Sequence, residues 1–176
     1  MVLLLAACGG GSKTSSASLQ GDTIPLKYAE NLTLVKGEGY TEARLRNPWD
    51  TTALLHTYIL VEKDKPLPNR LPEGTLVRTP LSNALVYTAV HCNLIQELGA
   101  VESIGGICEL QYIKVPEIIE GCRNGSIVNA GEGTNPDMEK IIDLHPDALL
   151  LSPYENSGGH GQVEKLKIPI IECADY

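Results

Sequence analysis

Between residues 26 and 61 apolar and polar positions alternate in short runs, at 26–28, 32–35, 40–45 and 54–61. Turn-forming clusters separate them: Glu30-Asn31, Lys36-Gly37-Glu38-Gly39 and Asn47-Pro48-Trp49-Asp50. A period of two broken by such clusters predicts antiparallel β-hairpins. The pattern stops at residues 63–74, where Pro66, Pro68 and Pro72 stand among charges. Each proline fixes φ and removes a ladder donor, so this segment is predicted to be an extended connector. From residue 75 onward, short apolar runs alternate with helical spacing. The pattern predicts strands at 75–79, 103–107, 126–129, 148–152 and 168–172, with helices at 83–98, 116–120, 136–144 and 161–166. In the first helix Val86, Val90, Leu94 and Leu98 recur every four residues beside Leu85 and Ala89, with Ser82 or Asn83 as cap and Gly99 as terminator. Strands apolar throughout, alternating with helices, predict an α/β fold: a parallel sheet flanked by helices, preceded by an antiparallel β-hairpin segment. Crossovers between the parallel strands are expected to be right-handed.

Composition narrows the function classes. The chain has 176 residues, enough for one main core, and a net charge of -8 with acidic and basic residues interspersed. A nucleic-acid groove needs clustered Lys and Arg, and no such run is present. No stretch approaches the roughly 20 apolar residues of a membrane-spanning helix. Cys92, Cys108, Cys122 and Cys173 include no C-x-x-C pair, which argues against structural zinc and leaves three disulfide pairings or simple buried thiols open.

The N-terminus carries its own signal. Residues 2–7 are an apolar run ending in Leu5-Ala6-Ala7-Cys8, an order that resembles a bacterial lipobox. The resemblance implies cleavage before Cys8, acylation of its thiol, and a lipoprotein of the cell envelope, periplasmic or at the cell surface. Residues 1–7 are then a signal remnant and 8–22 a lipidated flexible tether, since residues 9–18 are rich in Gly, Ser, Ala and Thr.

Two blocks further along carry a family likeness. One is Asn135-Pro136-Asp137-Met138-Glu139-Lys140-Ile141-Ile142-Asp143-Leu144-His145-Pro146-Asp147 with the apolar residues 148–151; the other is Leu166-Lys167-Ile168-Pro169-Ile170-Ile171. With Thr79-Pro80-Leu81-Ser82, Leu98-Gly99-Ala100 and Ile104-Gly105-Gly106-Ile107, they resemble the iron-siderophore, haem and cobalamin class of ABC-transporter periplasmic substrate-binding proteins. His145 stands where that pattern has Lys or Arg, and Lys167 where Gly is common. The resemblance implies one lobe of a two-lobe periplasmic binding protein. Residues 23–62 would be a β-hairpin extension, 63–74 the connector, and 75–176 the N-terminal α/β lobe, with the second lobe absent. It further implies a binding protein and not an enzyme, without a cofactor or metal site of its own, whose ligand contains chelated iron or cobalt. The partners would be that metal-chelate or tetrapyrrole-type small molecule, an ABC permease, and the membrane through the lipid anchor. Glu139 matches the family's surface glutamate that pairs with arginine on the permease.

In open α/β sheets ligands sit beyond the carboxyl ends of the strands. On the predicted strands this selects the loops 80–83, 108–112, 130–135 and 152–160. The candidate ligand-binding residues are Ser82, Asn83, Tyr112, Asn135, Tyr154 and His160. The tyrosines offer flat amphipathic faces, Asn135 and helix-terminal amides suit carboxylates, and His160 offers an imidazole, although loop histidines are commonly just solvated. Two rival readings stand beside this one. Gly131-Glu132-Gly133-Thr134-Asn135-Pro136, with Glu155 about 20 residues on, is an imperfect G-x-G-x-x-G and points to a dinucleotide-binding Rossmann-type enzyme fragment. The segment 26–61 could instead serve a surface protein-interaction module. Neither G-x-S-x-G nor H-E-x-x-H occurs, and the histidines at 56, 91, 145 and 160 are scattered.

Overall fold

The computed structural model describes residues 21–153 and 159–174. Cys8, the signal remnant, most of the tether, Tyr154 and Glu155 lie outside the described residues. Two five-stranded sheets form the frame. β1 (Asp22–Ile24), β2 (Leu32–Lys36), β3 (Thr41–Arg46), β4 (Leu54–Glu62) and β5 (Thr75–Thr79) make the first, in that order. The hairpin expectation holds for β2, β3 and β4, which pair antiparallel. No strand forms at 26–28; β1 lies earlier and pairs Ile24 with Leu34. Pro25 interrupts the run, and Leu26 and Tyr28 have no face to bury, Tyr28 being 82% exposed.

Residues 75–79 form a strand as expected, but not in the parallel α/β sheet. β5 lies parallel to β4, with Ile59 opposite Leu76. The connector contains no helix that would carry the chain onto another layer. It folds back instead, with Leu71 against Tyr40, Ile59 and Val61. On the other face Ala43, Tyr58 and Val77 pack with Leu81 and Ile171, which joins the two sheets.

The second sheet is wholly parallel: β6 (Ala84–Val86), β7 (Ile104–Ile107), β8 (Val128–Asn129), β11 (Ala148–Leu151) and β12 (Ile170–Glu172), in the order β12-β11-β6-β7-β8. A small hairpin of β9 (Gly131–Glu132) and β10 (Asn135–Pro136) projects after β8. α1 (Ala89–Glu97) and α2 (Pro116–Asn124) build a core around Cys92, Ile107 and Ile118, with Ala89, Ile95 and Cys122 packed against it. α3 (Met138–Leu144) and the 3-10 turn Gly161–Leu166 build another around Leu85, Ile141, Leu149 and Val163. Apolar cores on both sides of the sheet explain why its strands read as continuous apolar runs.

The main correction concerns the predicted helix at 83–98. Its first residues are instead the central strand β6, flanked by β11 and β7. Ala84, Leu85 and Val86 are at most 1% exposed, and full burial of a side chain such as Leu85 stabilises by about 1.5–3 kcal/mol. An unbroken apolar stretch is compatible with a buried strand or a buried helix, and periodicity does not separate them. The helix starts at Ala89, capped by Thr88, whose side chain accepts the His91 amide at 3.3 Å. The expected inward stripe therefore points outward: Val90, Leu94 and Leu98 are exposed, and His91 and Cys92 are buried. The helix expected at 136–144 likewise begins later, with Asp137 as cap accepting the Lys140 amide at 3.2 Å. No helix among the described residues is long and apolar enough to cross a membrane.

Candidate functional site

The strand order reverses direction at one place. From β6 the chain steps outward through β7 to β8, then returns to set β11 on the other side of β6. Loops leaving the carboxyl ends of β6 and β11 diverge to opposite faces, which opens a crevice between them. A cleft of ≈ 470 Å³ lies there, within the range of roughly 300–1,000 Å³ that suits small molecules. Tyr87 and Thr88 line it after β6, Glu109 after β7, Gly133 and Asn135 in the hairpin after β8, and Ser152 after β11. Residues 159–163 close the remaining wall. Backbone bonds fix these loops: the Glu109 amide donates to the Gly131 carbonyl at 2.7 Å, and the Asp137 amide to the Ala130 carbonyl at 2.8 Å.

The chemistry of the cleft centres on Tyr87, Glu109 and Gly133. Tyr87 is 7% exposed, and its hydroxyl has no hydrogen-bond partner among the described residues. Burial pushes the phenol well above its ordinary value, so it stays protonated and can donate. Glu109 holds a left-handed backbone, φ 56°, unusual for a residue with a side chain. A Cβ at Gly133 would come within 3.2 Å of Glu109 Oε1 and 3.6 Å of the Tyr87 ring, so glycine there keeps space open above both. An unpartnered buried hydroxyl costs about 1–3 kcal/mol of desolvation. Tyr87→Phe should therefore leave the unliganded chain equally stable or more stable, by up to about 1 kcal/mol, in chemical denaturation, while weakening any ligand that partners the hydroxyl.

The far wall is held by a carboxylate shared between two histidines. Glu172 at the end of β12 accepts from His160 Nε2 at 2.9 Å through Oε1 and meets His56 Nδ1 at 3.2 Å through Oε2. His56, on β4, also contacts Thr75 Oγ1 through Nε2 at 2.7 Å and stacks on Tyr58, with ring centroids 4.5 Å apart. Tyr58 Oη accepts the Glu172 amide at 2.8 Å. The His56 interaction above all, and then His160, hold the Glu172 carboxyl below its ordinary value against the opposing effect of burial. Positive φ at Gly159 (111°) and Gly161 (67°) lets the chain turn tightly on either side of His160.

Of the residues anticipated from sequence, Asn135 and His160 come together in this cleft. His160 is not a solvated loop histidine; its side chain is 16% exposed and bonded to Glu172. Ser82 and Asn83 do not reach the cleft. They precede β6 at the opposite end of the sheet, where both amides donate to Asp147 Oδ2, at 2.7 and 3.0 Å. Their selection rests on reading 75–79 as a strand of the parallel sheet followed by a helix, whereas β5 lies in the other sheet and the next element is the strand β6. Tyr112 ends the 3-10 turn Leu110–Tyr112, 63% exposed and outside the cleft lining. Glu139 is exposed in the first turn of α3. Sequence reasoning missed Tyr87, Thr88, Glu109 and Ser152. Each lies just beyond the carboxyl end of a parallel strand, so correct placement of β6 would have found the first two.

The glycine-rich segment at 131–136 is a hairpin and not the strand-turn-helix of a dinucleotide site, and the Asp137 carboxylate already caps α3. No disulfide joins Cys92, Cys108, Cys122 and Cys173. Burial pushes the Cys92 thiol up to about 11 and that of Cys108 up to about 12. Among the described residues no group of three or more His, Cys, Asp or Glu side chains is placed to hold a metal ion.

No protein-family model matches the chain. It is similar to an uncharacterized lipoprotein of Methanocaldococcus jannaschii, 24% identical over 173 residues. The similarity takes in 86% of this chain, which spans 41% of the length of that relative.

Proposed function

We propose that the chain is the ligand-capturing lobe of a substrate-binding protein that serves an ABC importer, with an iron-siderophore, haem or cobalamin-like molecule as its cargo. The observation that supports this reading best is the cleft at the strand-order reversal, ringed by loops that bring polar groups from β6, β7, β8 and β11 to one place. An open cleft against a single sheet suits a lobe that touches its ligand on one side. Glu139, exposed on α3, is then the permease-facing charge. A rim charge of this kind acts mainly on association rate and orientation. Cys8 is the lipid anchor in the same scheme, in keeping with the lipoprotein named among its relatives.

Calorimetric titration of the chain with a ferric hydroxamate chelate, haem and cobalamin tests the reading, with NAD as control. One ligand of the first three should bind, and Gly133→Val should weaken it at least tenfold, because the new side chain enters the space above Glu109 and Tyr87. The atom it meets first is the mobile end of Glu109, so the unfolding midpoint should change little. Silence with all three, a heat with NAD alone, or a Gly133→Val chain that binds normally would each defeat the reading.

A further inference from the structure

We infer that Glu109 makes the cleft selective for ligands that present a cationic amine, and that carboxylate-rich ligands are disfavoured there. The inference rests on the small-molecule reading of the cleft and narrows it to one chemical class. Among the described residues that line the cleft, no Lys or Arg is present and Glu109 is the one carboxylate. The other titratable side chains lining it are Tyr87, a neutral phenol, and His160, whose Nε2 is committed to Glu172. No hydrogen bond or ion pair engages the Glu109 carboxylate among the described residues, so its acceptor capacity is unspent. The backbone that carries it is fixed, because the Glu109 amide is tied to the Gly131 carbonyl at 2.7 Å and φ is left-handed, so the carboxylate stays within side-chain reach of the cleft. The missing Cβ at Gly133 leaves room beside both the carboxylate and the Tyr87 ring.

Three physical consequences follow. A partly buried carboxylate facing low-dielectric walls attracts a cation more strongly than one in open water. A second carboxylate brought into the same space is repelled and must also shed its hydration. At longer range the net charge of -8 raises the local concentration of cations and lowers that of anions. Ligands with a pendant ammonium therefore gain on both counts, whereas haem propionates and citrate-type chelates lose.

The test uses one chelate in two charge states: a ferric trihydroxamate with a free primary ammonium, and the same chelate N-acetylated. Ferric citrate is the anionic comparison. Calorimetry should give the ammonium form at least tenfold tighter binding than the acetylated form, and Glu109→Gln should abolish the difference at an unchanged unfolding midpoint. A parallel arm records amide NMR shifts of Glu109 and Gly133 with 1,4-diaminobutane and with succinate. If no chelate binds but diaminobutane alone moves these amides, in the wild type and not in Glu109→Gln, cation selectivity stands and the chelate reading falls. Equal affinity for the acetylated or citrate chelate, succinate acting like the diamine, a preference that survives Glu109→Gln, or no response to any probe would each overturn the inference.

Discussion

Replacing Glu172 with alanine should lower unfolding stability by about 3 kcal/mol at neutral pH, measured by urea denaturation. The carboxylate, 14% exposed, is the shared partner of His56 on β4 and His160 beside the cleft. Removing it leaves two partly buried imidazoles without their acceptor and cuts a direct link between the sheets. The Tyr58 contact is to the Glu172 backbone and survives, so the loss reports on the carboxylate. Glu172→Gln keeps the shape and should cost less, and its pH dependence gives the sharper test. The native carboxyl is held below its ordinary value of 4.5, chiefly by His56. Below that value the unfolded chain binds more protons than the folded one. The stabilisation is therefore complete above the ordinary value and fades as pH falls through the depressed native one. Wild type and Glu172→Gln should differ most at neutral pH and converge in acid. A gap that stays constant as pH falls would show that the carboxylate charge contributes nothing. Loss of the clamp should also release His160, so ligand affinity should fall together with stability.

How much of this was legible in the sequence depends on how local the determining force is. The β2 to β4 hairpins were readable because alternation and turn residues are local, and α2 and β7 came out near their expected places for the same reason. The central strand was not readable. Ala84-Leu85-Val86 continues into Tyr87, Thr88, Ala89 and Val90 without a breaker, and only the neighbours β11 and β7 decide that the first three residues are extended. That error carried forward. It set Ser82 and Asn83 at the carboxyl end of a strand and hid Tyr87 and Thr88, which line the cleft. The partnership of β5 with β4 was also hidden, because it depends on how the connector folds back. Lys167 holds a φ of 57°, the conformation glycine adopts most cheaply, and its residue type gives no sign of it. The Glu172 cluster joins residues from β4, β5 and β12, so no spacing in the chain announces it.

Asp147→Ala should destabilise by about 2 to 3 kcal/mol and leave ligand affinity within twofold. One oxygen of this carboxylate accepts the amides of Ser82 and Asn83, the Ser82 hydroxyl at 3.1 Å and Lys63 Nζ at 2.8 Å. In return the Asp147 amide donates to the Asn83 carbonyl at 2.9 Å. The entry to β6 is thereby locked to the entry to β11, the two strands that flank the cleft, with Lys63 from the end of β4 drawn in. Burial pushes the Asp147 carboxyl up, but Lys63 and the Ser82 amide and hydroxyl outweigh it and hold the group below its ordinary value. Alanine strands two backbone donors and a cation, whereas Asp147→Asn keeps an acceptor and should lose about 1 kcal/mol through the Lys63 pair. All of this happens at the amino ends of the strands, and the ligand is expected at the carboxyl ends. Ser82→Ala should accordingly leave binding unchanged. If either Ser82→Ala or Asp147→Asn removed ligand binding from a chain that still unfolds at its usual midpoint, Ser82 and Asn83 would return as contact residues and the cleft would have to be sought at the other end of the sheet.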